Sequence, residues 1–296
     1  MTNYFLIFLL LALTKNLYAN QIDNIKTDED LDNFFRINLK GFEDFTIASL
    51  TQLYPNSTHK KIADSLGIIP WQKVDLDNNG LTDLLVYGIW QEENYFIAII
   101  DEGDKITYRL FDKSVLKNVL FPELTTINQQ VVLILHHACK YDCEKKGPIL
   151  KRDTLTYKFG NFIETNFTTN TYNIKKIEFS TTMCAGNCPV FQLEIIPFGT
   201  SKFNADFNNE IKGKFKAIID TSSLNSLLTL LNYIDFPCLK NHYTVPGTCY
   251  PESTLKISYD KGKTKTITDY GEIGTFGLIM LYKKLFSLRT NQDWKK

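Results

Sequence analysis

Oxygen-bearing side chains are concentrated in one short stretch of the sequence, residues 75–83, which read DLDNNGLTD. Oxygen ligands at positions one, three, five and nine, with a glycine at position six, match the first nine places of a calcium loop. The stretch therefore predicts a Ca²⁺ site, and the alternative is an Asx-rich hairpin turn that holds no ion. The expected ligands are the side chains of Asp75, Asp77, Asn79 and Asp83 and the carbonyl oxygen of Leu81.

The residues after this loop distinguish it from a helix–loop–helix calcium motif. Position twelve is Val86, which cannot replace the bidentate glutamate of that motif, and the following residues predict a strand instead of a helix. In these respects residues 75–83 resemble the calcium loop of integrin-type (FG-GAP-like) β-repeats. Only one copy is visible, so we do not expect a complete propeller. We expect a bound Ca²⁺ to act as a structural clip and not as a catalyst.

Cysteine is the second residue type that could do chemistry. The six cysteines are Cys139, Cys143, Cys184, Cys188, Cys238 and Cys249. Their local spacing predicts the disulfides Cys139–Cys143, Cys184–Cys188 and Cys238–Cys249, with turn-forming residues inside the two short rings. The two C-x3-C pairs also permit a four-cysteine zinc site. A redox pair at Cys184 and Cys188 is a further alternative, although reactive dithiols usually have C-x-x-C spacing.

The adjacent histidines His136 and His137 suggest a metal site at first sight. Neighbouring residues on a strand point to opposite faces, so the two side chains cannot both face one ion without a bulge. We therefore expect one packed and one solvent-facing histidine.

The N-terminus has the pattern of a secretory signal over residues 1–19. An uninterrupted apolar run from Phe5 to Leu13 is followed by a polar stretch and by Ala19. The run is shorter than the roughly 20 apolar residues that span a bilayer, so we expect no integral membrane segment after signal removal. An even number of cysteines agrees with an oxidising compartment, which predicts a periplasmic or secreted protein.

The composition is that of a folded protein without a strong electric field. Hydrophobic residues make up 44% of the chain, and Lys+Arg and Asp+Glu both number 33. Because the charges balance, nothing draws the protein to nucleic acid.

Residues 20–170 predict N-terminal helices followed by an antiparallel β-meander. Apolar residues recur at helical spacing in 28–39, then through Phe45, Ile47, Leu50 and Leu53, and a third short helix is expected between 57 and 67. From Trp71 the period changes to two. The expected strands are 83–90, 95–101, 105–111, 131–137 and 154–159. The polar stretch 164–171 is the expected domain boundary.

Residues 171–296 begin again with strands. We expect strands at 175–181, 190–196, 200–207 and 214–219, a Leu-rich helix, strands at 253–259 and 263–270, and a C-terminal helix. This grouping predicts an α+β fold of two domains, each a mainly antiparallel sheet with helices, stapled by disulfides.

The second domain carries a resemblance to a known family. A strand leads to the run CAGNCPVF at residues 184–191, and a second strand and the glycine turn Phe198-Gly199 follow. This order resembles a bacterial family known as domain of unknown function 6438. The resemblance covers about residues 172–290, including the Leu-rich helix and the strand hairpin with Asp269. It implies an exported envelope protein with no known activity, and the Cys238 and Cys249 pair looks like an addition to the family pattern.

These observations favour a non-enzymatic binding or structural module of the bacterial envelope or of the secreted fraction. Its partner would be a protein, a peptide or a glycan. No Ser/His/Asp or Cys/His order points to a catalytic nucleophile. The alternative is a periplasmic enzyme, either a hydrolase or a thiol oxidoreductase that uses Cys184 and Cys188.

Overall fold

The computed structural model describes residues 21–91, 93–111, 118–139 and 149–296. It has 22% helix and 40% strand, and its sheets are mostly antiparallel, which confirms the predicted α+β class. The predicted signal, residues 1–19, and Cys143 of the predicted Cys139–Cys143 pair lie outside the described residues. Contacts divide the chain into two compact units, Met1–Asp112 and Lys113–Lys296.

The first unit begins with helices. They are a 3-10 helix (Gln21–Asn24), α1 (Asp28–Asn38), α2 (Leu50–Leu53) and α3 (Ser57–Ser65). Thr27 caps α1, because its hydroxyl accepts a hydrogen bond from the Asp30 N–H (3.1 Å) and the Asp30 carboxylate accepts one from the Thr27 N–H (3.0 Å). The helices expected near residues 28–39 and 57–67 are therefore present.

The second predicted helix starts later than its apolar spacing suggests. Thr46 and Ile47 form a short strand, β1 (Thr46–Ile47), that pairs with residues 88 and 89. Gly88 permits this pairing, since a Cβ atom there would lie 2.4 Å from the Thr46 carbonyl oxygen. Apolar spacing does not distinguish a helix from a strand in a segment this short. Pairing with β3 therefore decides that Thr46 and Ile47 form a strand.

The first unit then forms a five-stranded sheet in the order β1-β3-β4-β5, with β2 also paired to β3. The remaining strands are β2 (Trp71–Val74), β3 (Asp83–Trp90), β4 (Glu93–Asp101) and β5 (Ile106–Leu110). Leu84 and Val86 belong to the same core as Phe35 of α1, whereas the ring of Tyr87 lies 5.6 Å from that of Tyr54, which follows α2. Helices thus cover both faces of β3, and six successive residues of this strand are buried.

A four-stranded antiparallel meander opens the second unit. Its strands are β6 (Asn118–Ile127), β7 (Gln130–Cys139), β8 (Ile149–Lys158) and β9 (Asn161–Glu164), paired in chain order. The period-two pattern predicts parts of β7 and β8 but no strand over residues 118–127 or 161–164. Strand β9 had been assigned in part to the polar boundary segment.

The meander is bonded to the C-terminal part of the chain and belongs to the same contact unit, which begins at residue 113, whereas the sequence pattern predicted a domain boundary at 164–171. Ile163 lies in the core of the C-terminal elements. The Glu164 carboxylate accepts hydrogen bonds from the N–H groups of Phe276 (2.7 Å) and Gly277 (2.8 Å) at the start of the last helix. The end of β9 is therefore held by hydrogen bonds to the last helix, which is not expected of a flexible linker between domains.

A seven-stranded sheet in the order β13-β12-β11-β10-β15-β16-β14 completes the second unit. Its strands are β10 (Ile174–Thr181), β11 (Phe191–Ile195), β12 (Thr200–Ala205), β13 (Gly213–Ile218), β14 (His242–Thr244), β15 (Glu252–Tyr259) and β16 (Lys263–Tyr270). Helices α4 (Thr221–Tyr233) and α5 (Phe276–Ser287) share one hydrophobic core with the sheet. Among the described residues, no helix is long and apolar enough to cross a membrane.

Candidate functional site

The predicted calcium loop is the connection of a β-hairpin. Val74 of β2 is paired with Asp83 of β3, so residues 75–82 form the loop between the two strands. Two backbone positions turn the chain sharply, because Asn78 has φ 61° and Gly80 has φ 84°. Asparagine and glycine are the residues that most readily adopt such left-handed conformations. The local sequence therefore favours a compact turn.

Asp83 is the anchor of the loop. Its side chain is fully buried. One carboxylate oxygen accepts a hydrogen bond from the N–H of Leu76 and the other from the N–H of Asp101, both at 2.7 Å. These bonds join the loop to the end of β4, and they fix the direction in which the Asp83 carboxylate points.

Asp75 and Asp77 bring two further carboxylates to the same place. The Asn79 N–H donates to Asp75 Oδ1 and to Asp77 Oδ1, both at 3.1 Å, and the Gly80 N–H donates to Asp75 Oδ2 at 2.9 Å. One oxygen from each of Asp75, Asp77 and Asp83 lies within 4.8 Å of the other two. Three of the five predicted ligands are thus brought together.

Electrostatics disfavour three ionised carboxylates at this spacing. Burial raises the pKa of Asp83 to about 7, and the charges of Asp77 and Asp75 add to the shift, while its two backbone hydrogen bonds oppose it. Burial also raises the pKa of Asp77, which lies near the negative charges of Asp75 and Glu102. A divalent cation between the carboxylates would relieve this repulsion.

Asn79, the fourth predicted side-chain ligand, uses its amide group for hydrogen bonds within the protein. Asn79 accepts a hydrogen bond from the Leu81 N–H with its Oδ1 (2.7 Å) and donates from Nδ2 to the Asp101 carbonyl oxygen (2.6 Å). To ligate an ion, the Asn79 amide would have to turn its oxygen away from Leu81. The sequence analysis missed Asp101, whose N–H and carbonyl both hold the loop. The sequence does place Asp101 at the end of a predicted strand, just before the Glu102-Gly103-Asp104 turn, and this position could have indicated that it lies near the loop.

The Cys184–Cys188 pair forms a disulfide with its Cα atoms 5.7 Å apart. Thr181, at the end of β10, holds the segment after it, because its hydroxyl donates to the Pro189 carbonyl oxygen (2.7 Å) and accepts from the Phe191 N–H (3.3 Å). The two cysteines of this disulfide offer no thiolate, so the four-cysteine zinc site is not formed.

Comparison with known protein families confirms the resemblance that was predicted for the C-terminal region. Residues 175–289 match the family model described as a domain of unknown function, DUF6438. This part of the chain is therefore similar to the DUF6438 family. No curated protein and no solved structure matches the chain. The family match does not reach residues 75–83, whose resemblance to integrin-type loops stays a prediction.

The predicted Cys238–Cys249 disulfide, within the region that matches the DUF6438 model, is not formed, and both thiols are free and exposed. A hydrogen bond to the Asp235 carboxylate and the charge of that group raise the pKa of the Cys238 thiol. The Cys249 carbonyl instead accepts a hydrogen bond from the Ala185 N–H (3.1 Å), beside the other disulfide. Strand β14 lies between the two cysteines and extends the chain, so nearness in sequence does not bring them together.

The adjacent histidines of β7 contact two different carboxylates. His136 Nε2 lies 2.7 Å from Glu123 Oε2, and His137 Nε2 lies 2.8 Å from Asp153 Oδ2. Both rings are buried, which corrects the expectation that one of them faces solvent. Each histidine therefore has its own carboxylate partner.

Proposed function

We propose that the chain is an exported, non-enzymatic binding protein of the envelope or of the secreted fraction, and that its 75–83 loop holds Ca²⁺ as a structural clip. The observation that carries the calcium proposal is the convergence of Asp75, Asp77 and Asp83 within 4.8 Å. Within residues 21–91, 93–111, 118–139 and 149–296, none of these three carboxylates has an ion pair with Lys, Arg or His. A divalent cation would supply the missing positive charge.

The proposed ion would be held by the three carboxylates, by the Asn79 amide oxygen after rotation, and by the Leu81 carbonyl with water. Because Asp83 is already fixed by Leu76 and Asp101, an ion that binds it would connect the hairpin loop to β4. The site lacks a bidentate glutamate, so we expect a Kd on the order of 10⁻⁴ to 10⁻³ M, as in extracellular modules. Such an ion would stabilise the hairpin and take no part in chemistry.

Export is supported by the pattern of residues 1–19 and by the Cys184–Cys188 disulfide, since disulfides persist in oxidising compartments. The alternative, a thiol oxidoreductase, would use the same two cysteines. Once the exposed thiols of Cys238 and Cys249 have been blocked, titration of the native protein with a disulfide reductant of known potential separates the two proposals. Ready reduction of the Cys184–Cys188 pair at a mild potential would favour the oxidoreductase, and resistance to reduction would favour a structural disulfide.

Calorimetric titration with Ca²⁺, together with thermal melts in Ca²⁺ and in EGTA, tests the clip. At a Ca²⁺ concentration about tenfold above Kd, the wild type should gain about 1.4 kcal/mol of stability. Asp77→Asn should lose most of this gain because it removes one of three charged ligands.

The matched control is Asp104→Asn, an exposed aspartate in the β4–β5 turn. It changes the net charge equally and should leave the calcium response unchanged. Identical wild-type melts with and without Ca²⁺, together with no heat of binding at millimolar Ca²⁺, would contradict the calcium site. Residues 75–83 would then be a turn that binds no ion.

A further inference from the structure

The seven-stranded sheet of the second unit has two unlike faces. On one face, Phe179, Leu193 and Phe203 lie in the core that α4 and α5 complete. On the opposite face, the alternating residues of the same strands are polar and are exposed or half-buried. This opposite face, called here the open face, carries a groove of about 590 Å³. Ligand sites of roughly 300–1,000 Å³ are typical for small molecules and short oligomers.

Strand register arranges the open face into two parallel rows that cross five strands. The charged row consists of Lys256, Glu178, Glu194, Lys202 and Lys216, on β15, β10, β11, β12 and β13. The neutral row, two residues along each strand, consists of Thr254, Ser180, Gln192 and Asn204, and it ends at Lys214 on β13. All ten side chains belong to residues that line the groove. Hydroxyl and amide groups therefore lie beside a line of charges.

The charges of the groove do not cancel. Glu194 is paired with Lys202 (2.7 Å), and Glu178 lies 3.5 Å from Lys256. Lys214 and Lys216 have no ion pair with any described residue, and the groove wall contains five lysines against two glutamates. The β12–β13 end of the groove, where Lys214 and Lys216 lie, is therefore positive and open to an anionic group.

The polar groups of the neutral row are the second feature that a ligand could use. Hydroxyl and amide groups line the groove there, on Thr254, Ser180, Gln192 and Asn204. Glu178 is already matched by Lys176, 3.1 Å from its Oε1, and by Lys256, 3.5 Å from its Oε2. A ligand that combines hydroxyl groups with negative charge would therefore fit the neutral row and the positive end of the groove.

The sheet is poorly suited to bind a peptide as an added strand. Lys216 of β13 already exchanges two backbone hydrogen bonds with Lys295, at 2.7 and 2.9 Å. The other edge strand, β14, has three residues. Because the large apolar side chains of the five strands face the helices, the groove also lacks the side-chain pockets that peptide recognition uses.

We propose that the open face binds an acidic oligosaccharide. Its carboxylate or sulfate groups would lie against Lys214 and Lys216. Its hydroxyl groups would bond to the amides and hydroxyls of the neutral row, chiefly those of Gln192 and Asn204. This inference rests on the proposed binding function and is independent of the calcium loop.

Calorimetric titration of the whole chain with trigalacturonate, maltotriose and triglutamate tests the inference. Trigalacturonate should bind, with an affinity that falls as salt is raised, and maltotriose and triglutamate should bind at least about tenfold more weakly. The double variant Lys214→Gln/Lys216→Gln should weaken trigalacturonate binding by about tenfold. The control Lys261→Gln/Lys283→Gln removes the same charge from exposed lysines outside the groove and should leave Kd unchanged.

The side-chain amide signals of Gln192 and Asn204 in NMR spectra give a second measurement that does not depend on the variants. They should shift on addition of trigalacturonate and keep their positions with triglutamate. Binding of maltotriose or triglutamate as tight as that of trigalacturonate, with the same loss in the double variant, would overturn the acidic-glycan class and leave the binding function standing. No binding of any of the three at about 10 mM would overturn the groove as a ligand site altogether.

Discussion

Asp83 in the first unit and Asp153 in the second are both buried aspartates on strands, and their pKa values move in opposite directions. Burial raises the pKa of Asp83 to about 7. Burial also acts to raise the pKa of Asp153, but hydrogen bonds from His137 and Lys151 and the charges of these groups outweigh it and hold the pKa at about 2. Lys151 Nζ lies 2.7 Å from one oxygen of Asp153, and His137 Nε2 lies 2.8 Å from the other.

The difference lies in the partners and not in the depth of burial. The Asp153 carboxylate is bonded to the side-chain nitrogens of His137 on β7 and Lys151 on β8, so it keeps its negative charge inside the protein. Among the described residues, the hydrogen-bond donors to Asp83 are backbone N–H groups, and two more aspartates lie close by. Burial disfavours the charged form of a carboxylate when no positively charged group lies beside it. The comparison supports the proposal that a cation from solution binds the loop of the first unit.

The largest effect is expected from Asp153→Asn. It removes the charge that His137 and Lys151 share, and it should lower the free energy of unfolding of the second unit by about 2–3 kcal/mol. Chemical denaturation at pH 7 measures this loss. Glu123→Gln, which alters the more exposed partner of His136, is the matched control and should lose less. Equal losses in the two variants would mean that burial of the pair does not matter.

Acid should remove a similar contribution from the wild type. The pKa of Asp153 is lower in the folded state than its unfolded value of about 3.9, so its contribution is complete above about pH 4 and is lost as pH falls through 2. We expect the stability difference between wild type and Asp153→Asn to shrink by about 2 kcal/mol over this range. Unfolding curves from pH 5 to pH 2 provide the measurement. A difference that stays constant with pH would contradict the assigned ion pairs.

The smallest effect is expected from Asp83→Asn without calcium. Its pKa near neutrality means that part of the wild-type population is already uncharged at pH 7, so the variant should lose only about 1 kcal/mol, mainly through one mismatched backbone hydrogen bond. In the presence of Ca²⁺ the gap should widen, because only the wild type binds the ion. Thermal melts of both proteins in EGTA and in Ca²⁺ measure this difference in stability. A difference of the same size in both conditions would mean that Asp83 does not bind Ca²⁺.

Features that involve neighbouring residues were predictable from the sequence. The turn at 75–83 needs only glycine, asparagine and aspartate in the right order, and its three carboxylates meet within nine residues of chain. The Cys184–Cys188 ring is equally local, and it is confirmed together with the DUF6438 match. Capping at Thr27 and the period-two strands follow from the same short-range rules.

Features that depend on contacts between distant segments were decided by the tertiary structure. Glu164 accepts a hydrogen bond from the start of α5, 112 residues away, and this contact joins the meander to the C-terminal elements. Cys238 and Cys249 stay apart because β14 pairs with β16, and no spacing along the chain reveals that pairing. The rows of the open face exist only because the register aligns residues of five strands, and the depth of Asp83 depends on Asp101 of a neighbouring strand. Local sequence limits the conformations of a few residues at a time, whereas burial and alignment require segments far apart in the chain to fold together.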